Sequence, residues 1–124
     1  MPNTTAGRSN VLEWNLAADE SQGPHTIGGC TTCLGALTLQ GATVRRNVSY
    51  FVIAHASRFV RPGSVRVETN EPNGLPNVAF QRGDGKKVLI VLNETAAPLT
   101  FNISYKGKKV STHLSGGAVA TYVW

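Results

Sequence analysis

The chain has 124 residues, enough for one ordinary domain but too few for a complete (β/α)8 barrel, which needs roughly 250 residues. Hydrophobic residues make up 41% of the sequence, which excludes a disordered chain, and no apolar run approaches the ~20 residues of a membrane span. The net charge of +5 comes from scattered lysines and arginines without interleaved aromatic residues, so the pattern argues against a nucleic-acid partner. The opening residues are polar and lack the apolar segment of a secretory signal.

The first third of the chain predicts a strand, a loop and a hairpin. Residues 1–9 are small and polar, typical of a frayed, disordered start segment. Val11–Leu16 predicts a short buried strand, and residues 17–33 predict a loop rich in glycine, threonine and aspartate. Gly35–Leu39 and Thr43–Arg46 then predict a small hairpin. A strand that runs straight into a glycine-rich loop is typical of a parallel barrel, whose active-site loops follow its strands.

A helix is predicted after the hairpin. Asn47 stands where an N-cap belongs, and from Val48 to Val60 apolar residues recur at helical spacing over a broad face. Arg61-Pro62-Gly63 ends the helix, because proline cannot continue it and glycine permits the chain to reverse.

From Gly63 onward the hydrophobic period changes from 3.6 to 2, with turn signals such as Gly83-Asp84-Gly85 between short strands. The predicted strands contain Val65 and Val67; Val78 and Phe80; Val88–Leu92; Leu99, Phe101, Ile103 and Tyr105; Val110, Thr112 and Leu114; and Ala118–Trp124. The predicted fold is mainly β. It has an antiparallel β-sandwich domain over residues 63–124, preceded over residues 10–62 by the last strand, loop and helix of a (β/α)8 barrel.

Seven short segments, taken in order and at their spacing, carry a resemblance that covers nearly the whole chain. They are Trp14-Asn15-Leu16-Ala17, Gly29-Cys30-Thr31-Thr32-Cys33, Asn47-Val48-Ser49-Tyr50, His55 to Ser64, Leu75-Pro76-Asn77-Val78-Ala79-Phe80, Val88-Leu89-Ile90-Val91-Leu92-Asn93 and Ala120-Thr121-Tyr122-Val123-Trp124. In this series the chain resembles the C-terminal part of glycoside hydrolase family 30, in its glucosylceramidase-like branch.

The resemblance implies a fold and a chemistry. Members have a (β/α)8 barrel with a β-sandwich that also takes strands from the region before the barrel. They are retaining glycosidases, in which a nucleophile and an acid/base glutamate lie ~5–5.5 Å apart. In the family these residues end barrel strands four and seven. This chain starts at strand eight, so both positions fall upstream of Met1, and we expect no catalytic residue here and no activity from the chain alone.

The same resemblance implies the partners. The parent barrel would bind a carbohydrate or glycolipid, and this chain would pair with the upstream barrel segment or with a partner chain. No cofactor is expected, and the parent enzyme would be secreted or periplasmic. The alternative function is a non-catalytic carbohydrate-binding or structural β-sandwich module.

Trp14 and Asn15 are the candidate substrate-binding residues. In the family the tryptophan after strand eight lines the sugar pocket, and an aromatic face stacks on the C–H face of a pyranose; the alternative is a tryptophan of the core. Side chains alternate along a strand, so Glu13 would face away from a pocket that Trp14 faces.

The loop offers weaker candidates. Asp19 and Glu20 are adjacent carboxylates that suggest acid–base chemistry, although such loop residues are usually solvated. His25 could reach a substrate hydroxyl or lie on the surface.

Cys30 and Cys33 have CxxC spacing, which allows a disulfide in an exported protein or two free thiols. No metal site is expected, because a structural zinc needs two further ligands that the three histidines are not spaced to supply. Four segments fit the N-glycosylation pattern: Asn3-Thr4-Thr5, Asn47-Val48-Ser49, Asn93-Glu94-Thr95 and Asn102-Ile103-Ser104.

Overall fold

The computed structural model describes residues 12–124, which form nine strands, one helix and two compact units. The first unit ends at Ala54 and the second begins at His55, so the division falls within the helix. The predicted start segment, residues 1–9, lies outside the described residues. Over the described part the fold is mainly β with antiparallel sheets, as predicted.

The first unit contains a three-stranded sheet. Its strands are β1 (Ala17–Asp19), β2 (Leu37–Gln40) and β3 (Thr43–Arg46), in the order β1-β2-β3. β2 and β3 form the predicted antiparallel hairpin, with Gln40 opposite Thr43 and Gly41 at a positive φ of 56° in the turn. β1 pairs with β2 in parallel, Ala17 opposite Leu37.

The predicted buried strand at the start of the chain is wrong in position and in burial. Regular strand structure begins at Ala17 and not within residues 12–16; Val11 lies outside the described residues. Pairing with β2 determines where the strand begins. The Leu16 carbonyl accepts from the Leu37 amide at 2.9 Å, and the regular ladder of paired residues runs from Ala17. The side chains of Leu12, Trp14 and Leu16 are 94%, 67% and 74% exposed.

Asn47 joins the hairpin to the helix. It is buried and directly precedes helix α1 (Val48–Phe59), as predicted for an N-cap position. Its side-chain amide donates to the Gly35 carbonyl at 2.8 Å and to Thr38 Oγ1 at 2.9 Å. The residue that directly precedes the helix therefore also ties the end of β3 to β2 and to the residues before it.

Helix α1 ends one residue earlier than predicted and presents an apolar surface to solvent. None of its residues is buried, and the side chains of Phe51 and Val52 are more than half exposed. In the second unit, His55 Nδ1 lies 2.8 Å from Thr121 Oγ1. No helix among residues 12–124 has the length and apolar character needed to cross a membrane.

The second unit contains a four-stranded antiparallel sheet in the order β4-β5-β6-β9. Its strands are β4 (Val65–Val67), β5 (Asn77–Gln81), β6 (Lys87–Leu92) and β9 (Val119–Val123). β6 is central, as its apolar sequence predicted, and Val88 and Val91 on it are almost fully buried. The predicted turn between β5 and β6 is closed by an Arg82–Asp84 ion pair of 2.8 Å.

The second layer of this unit is a two-stranded ribbon of β7 (Leu99–Tyr105) and β8 (Lys108–Leu114). Buried Leu75, Val91 and Leu114 form the centre of the core between ribbon and sheet. Phe101 of β7 meets Tyr122 of β9 edge to face, with ring centroids 6.1 Å apart. The sequence alternation that predicted a sandwich therefore produces the two facing layers of one.

Asn93 connects the layers at one end of the second unit. It is fully buried directly after β6, and its amide donates to the carbonyls of Ala97 and Leu114 at 2.8 and 2.9 Å. Its Oδ1 accepts from the Thr95 amide at 3.0 Å and from Thr95 Oγ1 at 2.8 Å. One side chain thus provides partners for backbone groups of the following loop and for the buried carbonyl at the end of β8.

Candidate functional site

The loop after β1 is folded around the carboxylate of Asp19. Asp19 Oδ1 accepts from the amides of Ser21 and Gly23, each at 2.8 Å, and the Asp19 amide donates to the Gly23 carbonyl at 2.9 Å. This is the local pattern by which aspartate stabilises a turn. Asp19 thus shapes the loop.

His25 lies in the same loop. Its Nε2 lies 3.3 Å from the Ser21 carbonyl, and the ring is exposed. Gln22, with its amide nitrogen turned toward them, donates to the carbonyls of Thr31 and Thr32 at 3.2 Å each. The loop is therefore tied to the segment that carries the two cysteines.

Cys30 and Cys33 are joined in the structure, with Sγ atoms 2.11 Å apart and Cα atoms 5.6 Å apart. This is the disulfide alternative of the two that the sequence left open. No group of three or more potential metal ligands is found within residues 12–124.

Trp14 and Asn15 lie before the loop, in the segment that runs toward β1. The Trp14 indole is exposed, and the Asn15 side chain is half-buried against Gly35, where a Cβ atom would come within 2.7 Å of Asn15 Oδ1. Asn15 Oδ1 has no hydrogen-bond partner within the described part of the chain. The segment can therefore offer the aromatic face of Trp14 to a ligand, whereas Asn15 Oδ1 is buried.

The structure brings some of the candidates together and leaves others apart. Asp19 and His25 share one turn through Ser21. Across residues 12–124, no side-chain hydrogen bond links Trp14 or Asn15 to either of them. Glu13 and Trp14 are both exposed and outside a strand, so the expectation that they face opposite sides of a strand does not hold.

The second unit contains a groove that the sequence did not reveal. Its volume is about 640 Å³, and it lies between the face of the four-stranded sheet and the ribbon strand β7. Leu75, Leu89 and Val91 line it from the sheet side, and every residue of 101–105 lines it from β7. Tyr105 and Trp124 meet at its edge with ring centroids 6.0 Å apart. Glu68 supplies the one carboxylate among the described lining residues.

A signal for this groove was present in the sequence. Strand β7 contains no charged residue, although Lys106 follows it directly. In the structure the ammonium groups of Lys87 and Lys106 lie 5.5 and 5.6 Å from the centroid of the Tyr105 ring at the end of β7. An uncharged seven-residue strand beside lysine-rich turns indicates a surface that another element covers.

Comparison with known proteins assigns the sandwich. The glycosyl hydrolase family 30 beta sandwich domain matches residues 63–122. Endo-1,6-beta-D-glucanase neg1 of Aspergillus fumigatus is 28% identical in an alignment of 123 positions that covers 93% of this chain and 25% of that protein. Lysosomal acid glucosylceramidase of Mus musculus is 28% identical in an alignment of 116 positions that covers 90% of this chain and 22% of that protein.

A solved endo-beta1,6-glucanase structure gives the same result in three dimensions. It superposes with a TM-score of 0.80 at 34% identity, over 90% of this chain and 26% of the glucanase. The chain therefore spans about a quarter of the length of the curated relatives it matches. Since the alternating strands, the two facing layers and these relatives all agree, the chain contains the C-terminal β-sandwich domain of glycoside hydrolase family 30.

Proposed function

We propose that this chain is the C-terminal portion of a retaining β-glycosidase that hydrolyses β-glucosidic bonds of glycans or glycolipids. Residues 10–62 would supply the last strand, loop and helix of its barrel, and residues 63–124 its sandwich domain. One observation carries the proposal. Similarity to glycosidases continues through nine-tenths of this chain, beyond the sandwich match at 63–122, yet covers only about a quarter of those enzymes.

The contacts of the acidic residues support the proposal that the catalytic pair of glutamates lies outside this chain. Retaining hydrolysis needs two carboxyl groups ~5–5.5 Å apart on either side of the sugar. Of the seven acidic residues, Asp19 and Asp84 already hold turns together through backbone amides. The described lining of the groove contributes Glu68 alone. We therefore propose that the glutamate pair comes from elsewhere in the parent enzyme.

Exposed apolar surface supports a role in a larger assembly. The Phe51 and Val52 side chains on α1, and Leu12 and Leu16 before β1, are open to solvent. Burying such side chains contributes about 1.5–3 kcal/mol each. We propose that the upstream barrel segment or a partner chain covers them, and that Trp14, Asn15 and the loop with Asp19 and His25 then border the sugar site.

The activity of the isolated chain tests this proposal. We expect the pure 124-residue chain to release no phenol from an aryl β-glucoside above the buffer blank. Turnover that persists in the triple variant Glu13→Gln, Asp19→Asn, Glu20→Gln would place catalysis somewhere that the proposal excludes.

A chimeric enzyme tests whether the chain supports activity when an upstream barrel is present. The chain is joined to the upstream part of the endo-beta1,6-glucanase with 34% identity, in place of the glucanase's own aligned quarter. We expect this chimera to hydrolyse its glucan measurably. The matched chimera that carries only residues 63–124 should not, because it lacks the strand, loop and helix that we assign to the barrel.

The exposure of Trp14 favours one alternative function, a non-catalytic carbohydrate-binding module. If the chain alone retains β-glucan affinity, Trp14→Ala should weaken binding about tenfold or more, by calorimetry, because the stacking face is lost. Leu16→Ala is the matched control, since it removes an apolar side chain of similar exposure two residues away. Equal binding by both variants would contradict a sugar site at Trp14.

A further inference from the structure

The loop after β1 returns along the segment that carries Trp14. The Ala36 amide donates to the Asn15 carbonyl at 3.1 Å, directly after Trp14 in the chain. Gly35 packs so closely here that a Cβ atom would come within 3.1 Å of the Ala17 backbone. The end of the loop is therefore fixed beside the segment that we propose borders the sugar site, and these contacts lie within the first unit.

Gln22 links the two halves of this loop. Its side-chain amide donates to the carbonyls of Thr31 and Thr32 at 3.2 Å each. These are the two residues enclosed by the Cys30–Cys33 disulfide, in what we call the cysteine turn. A carboxamide nitrogen has two N–H donors, so this link uses both of them. Gln22 is half-buried, and its side chain therefore connects the turn around Asp19 to the cysteine turn.

The backbone of Gln22 is in a conformation that glutamine rarely adopts. Its φ is 63°, in the left-handed region where glycine is the default residue. Among residues 12–124 the other non-glycine residue with a positive φ is Lys106, in the two-residue turn between β7 and β8, which requires it. Gln22 lies in a different turn: its amide donates to the Asp19 carbonyl at 3.0 Å, and the Asp19 amide donates to the Gly23 carbonyl at 2.9 Å. Glycine would fit this position without strain.

A glutamine at a glycine position points to a task for its side chain. Residues held in such strained conformations cluster at ligand sites, where the surrounding contacts hold them. We propose that Gln22 is a positioning residue for the sugar site: its carboxamide holds the cysteine turn in place, so that the loop meets the sugar in one shape beside Trp14. This role rests on the proposed function, in which the loop borders the site. The bonds that carry it are made within the first unit, whatever covers the rest of the chain.

Loss of the Gln22 side chain should weaken sugar binding more than it slows the chemical step. A loop already held in its bound shape loses less conformational entropy when the sugar binds. In the chimera, Gln22→Gly and Gln22→Ala should each raise KM for the glucan about fivefold, the size expected for ordinary neutral hydrogen bonds. Because the glutamate pair is not moved, kcat should stay within about twofold of wild type.

The same two variants separate positioning from stability. Both lose the carboxamide, but glycine removes the backbone strain at Gln22 and alanine keeps it. The thermal midpoint of the isolated 124-residue chain should therefore be about 4 °C or more higher for Gln22→Gly than for Gln22→Ala. Their KM values should nevertheless agree. A KM that follows the thermal midpoint would show a merely structural role and overturn the proposal.

Gln22→Glu tests the hydrogen bonds themselves in the isolated chain. Tris(2-carboxyethyl)phosphine reduces the disulfide, and a maleimide counts the new thiols. A carboxylate has no donor and repels the Thr31 and Thr32 carbonyls, whereas the protonated acid donates to one of them. The freed cysteine turn gives the reductant better access to sulfur. Relative to wild type at the same pH, reduction should quicken about fivefold as the pH rises through the pKa of the new carboxyl, which the carbonyls raise above the ordinary value of about 4.3.

Two comparisons make the pH dependence specific to Gln22. Asp19, Glu20 and His25 also titrate in this loop, and dividing by the wild-type rate at each pH removes their contribution. Gln40→Glu is the matched control, because it makes the same change at an exposed glutamine of the first unit, and it should follow wild type at every pH.

The outcomes distinguish this proposal from the proposed function. A reduction rate of Gln22→Glu that does not depend on pH relative to wild type, or that Gln40→Glu matches, would overturn the link to the cysteine turn. An active chimera whose KM is unchanged by Gln22→Gly would overturn the positioning role alone. An inactive wild-type chimera would count against the proposed function, and the role of Gln22 at a sugar site would fall with it even if the reduction experiment succeeded.

Discussion

Replacing Asn93 with alanine should lower the free energy of unfolding by about 3 kcal/mol. The side chain is fully buried and makes four hydrogen bonds, to Ala97, Leu114 and twice to Thr95. Alanine would remove the side-chain donor to the buried Leu114 carbonyl and the acceptor of the half-buried Thr95 amide, and each buried unsatisfied group costs about 1–3 kcal/mol. With an m-value near 1.5 kcal/mol/M, the urea midpoint should fall by about 2 M.

Two further variants make this prediction specific. Asn93→Asp has almost the same size, but it turns a carboxylate oxygen toward the Ala97 and Leu114 carbonyls, so it should destabilise at least as much as alanine. Asn102→Ala, at an exposed asparagine of the same unit, should change the free energy of unfolding by less than about 0.5 kcal/mol. An Asn93→Ala midpoint as close to wild type as that of Asn102→Ala would refute the structural role of Asn93.

Gly116→Ala should destabilise the chain by a similar amount, about 3 kcal/mol, for a different reason. A Cβ atom at Gly116 would overlap the carbonyl of Ala96 and come within 2.9 Å of the Thr95 carbonyl oxygen. Both are backbone atoms, held in place because the Gly117 amide donates to the carbonyls of Asn93 and Thr95. Overpacking against backbone that cannot move costs about 1–3 kcal/mol and sometimes more.

Gly83→Ala is the matched control for this variant. A Cβ at Gly83 has no described atom within 4 Å, and Gly83 is not among the glycines with positive φ. The substitution should therefore be neutral or stabilise by about 0.4–1 kcal/mol through the unfolded chain. Thermal unfolding followed by circular dichroism compares the two. Equal thermal midpoints for Gly116→Ala and Gly83→Ala would contradict the prediction, because the segment of Thr95 and Ala96 would then move away from residue 116 at little cost.

Local signals were enough to predict the second unit. Most of its strands alternate apolar and polar residues, β6 is a continuous apolar run, and its turns contain residues that tolerate positive φ, such as Gly85 at 85° and Gly107 at 77°. Because antiparallel strands joined by short turns pair with their neighbours in sequence, periodicity and turn chemistry fix most of the topology. The hairpin of β2 and β3 was predicted for the same reason.

Features that depend on distant partners were not predictable. The apolar segment before β1 suggested a buried strand, but the position of the strand depends on β2, about twenty residues later in the chain. Apolar spacing in α1 predicted a face to be covered, yet Phe51 and Val52 stay exposed, since periodicity does not say whether a cover exists. Asn93 was missed because its partner Leu114 lies 21 residues away.

For the candidate site, the sequence identified residue types but not their working contacts. The Asp19 carboxylate proved to organise its own loop, which the Asp-x-Ser order alone could have suggested. The exposure of Trp14 and the orphaned oxygen of Asn15 required coordinates. The groove beside β7 could have been inferred only from what the strand lacks, namely charge.

The hydrogen bonds of Asn47 and Asn93 change how two apparent modification signals are interpreted. A glycan is attached through the side-chain amide nitrogen, and in both residues that nitrogen is buried and already donates twice. In Asn93-Glu94-Thr95 the threonine hydroxyl donates to the asparagine oxygen at 2.8 Å. The tripeptide therefore has a structural role in this turn. In a eukaryotic secretory host, sugar added to either residue before folding would block the fold, whereas the Asn102 side chain is exposed.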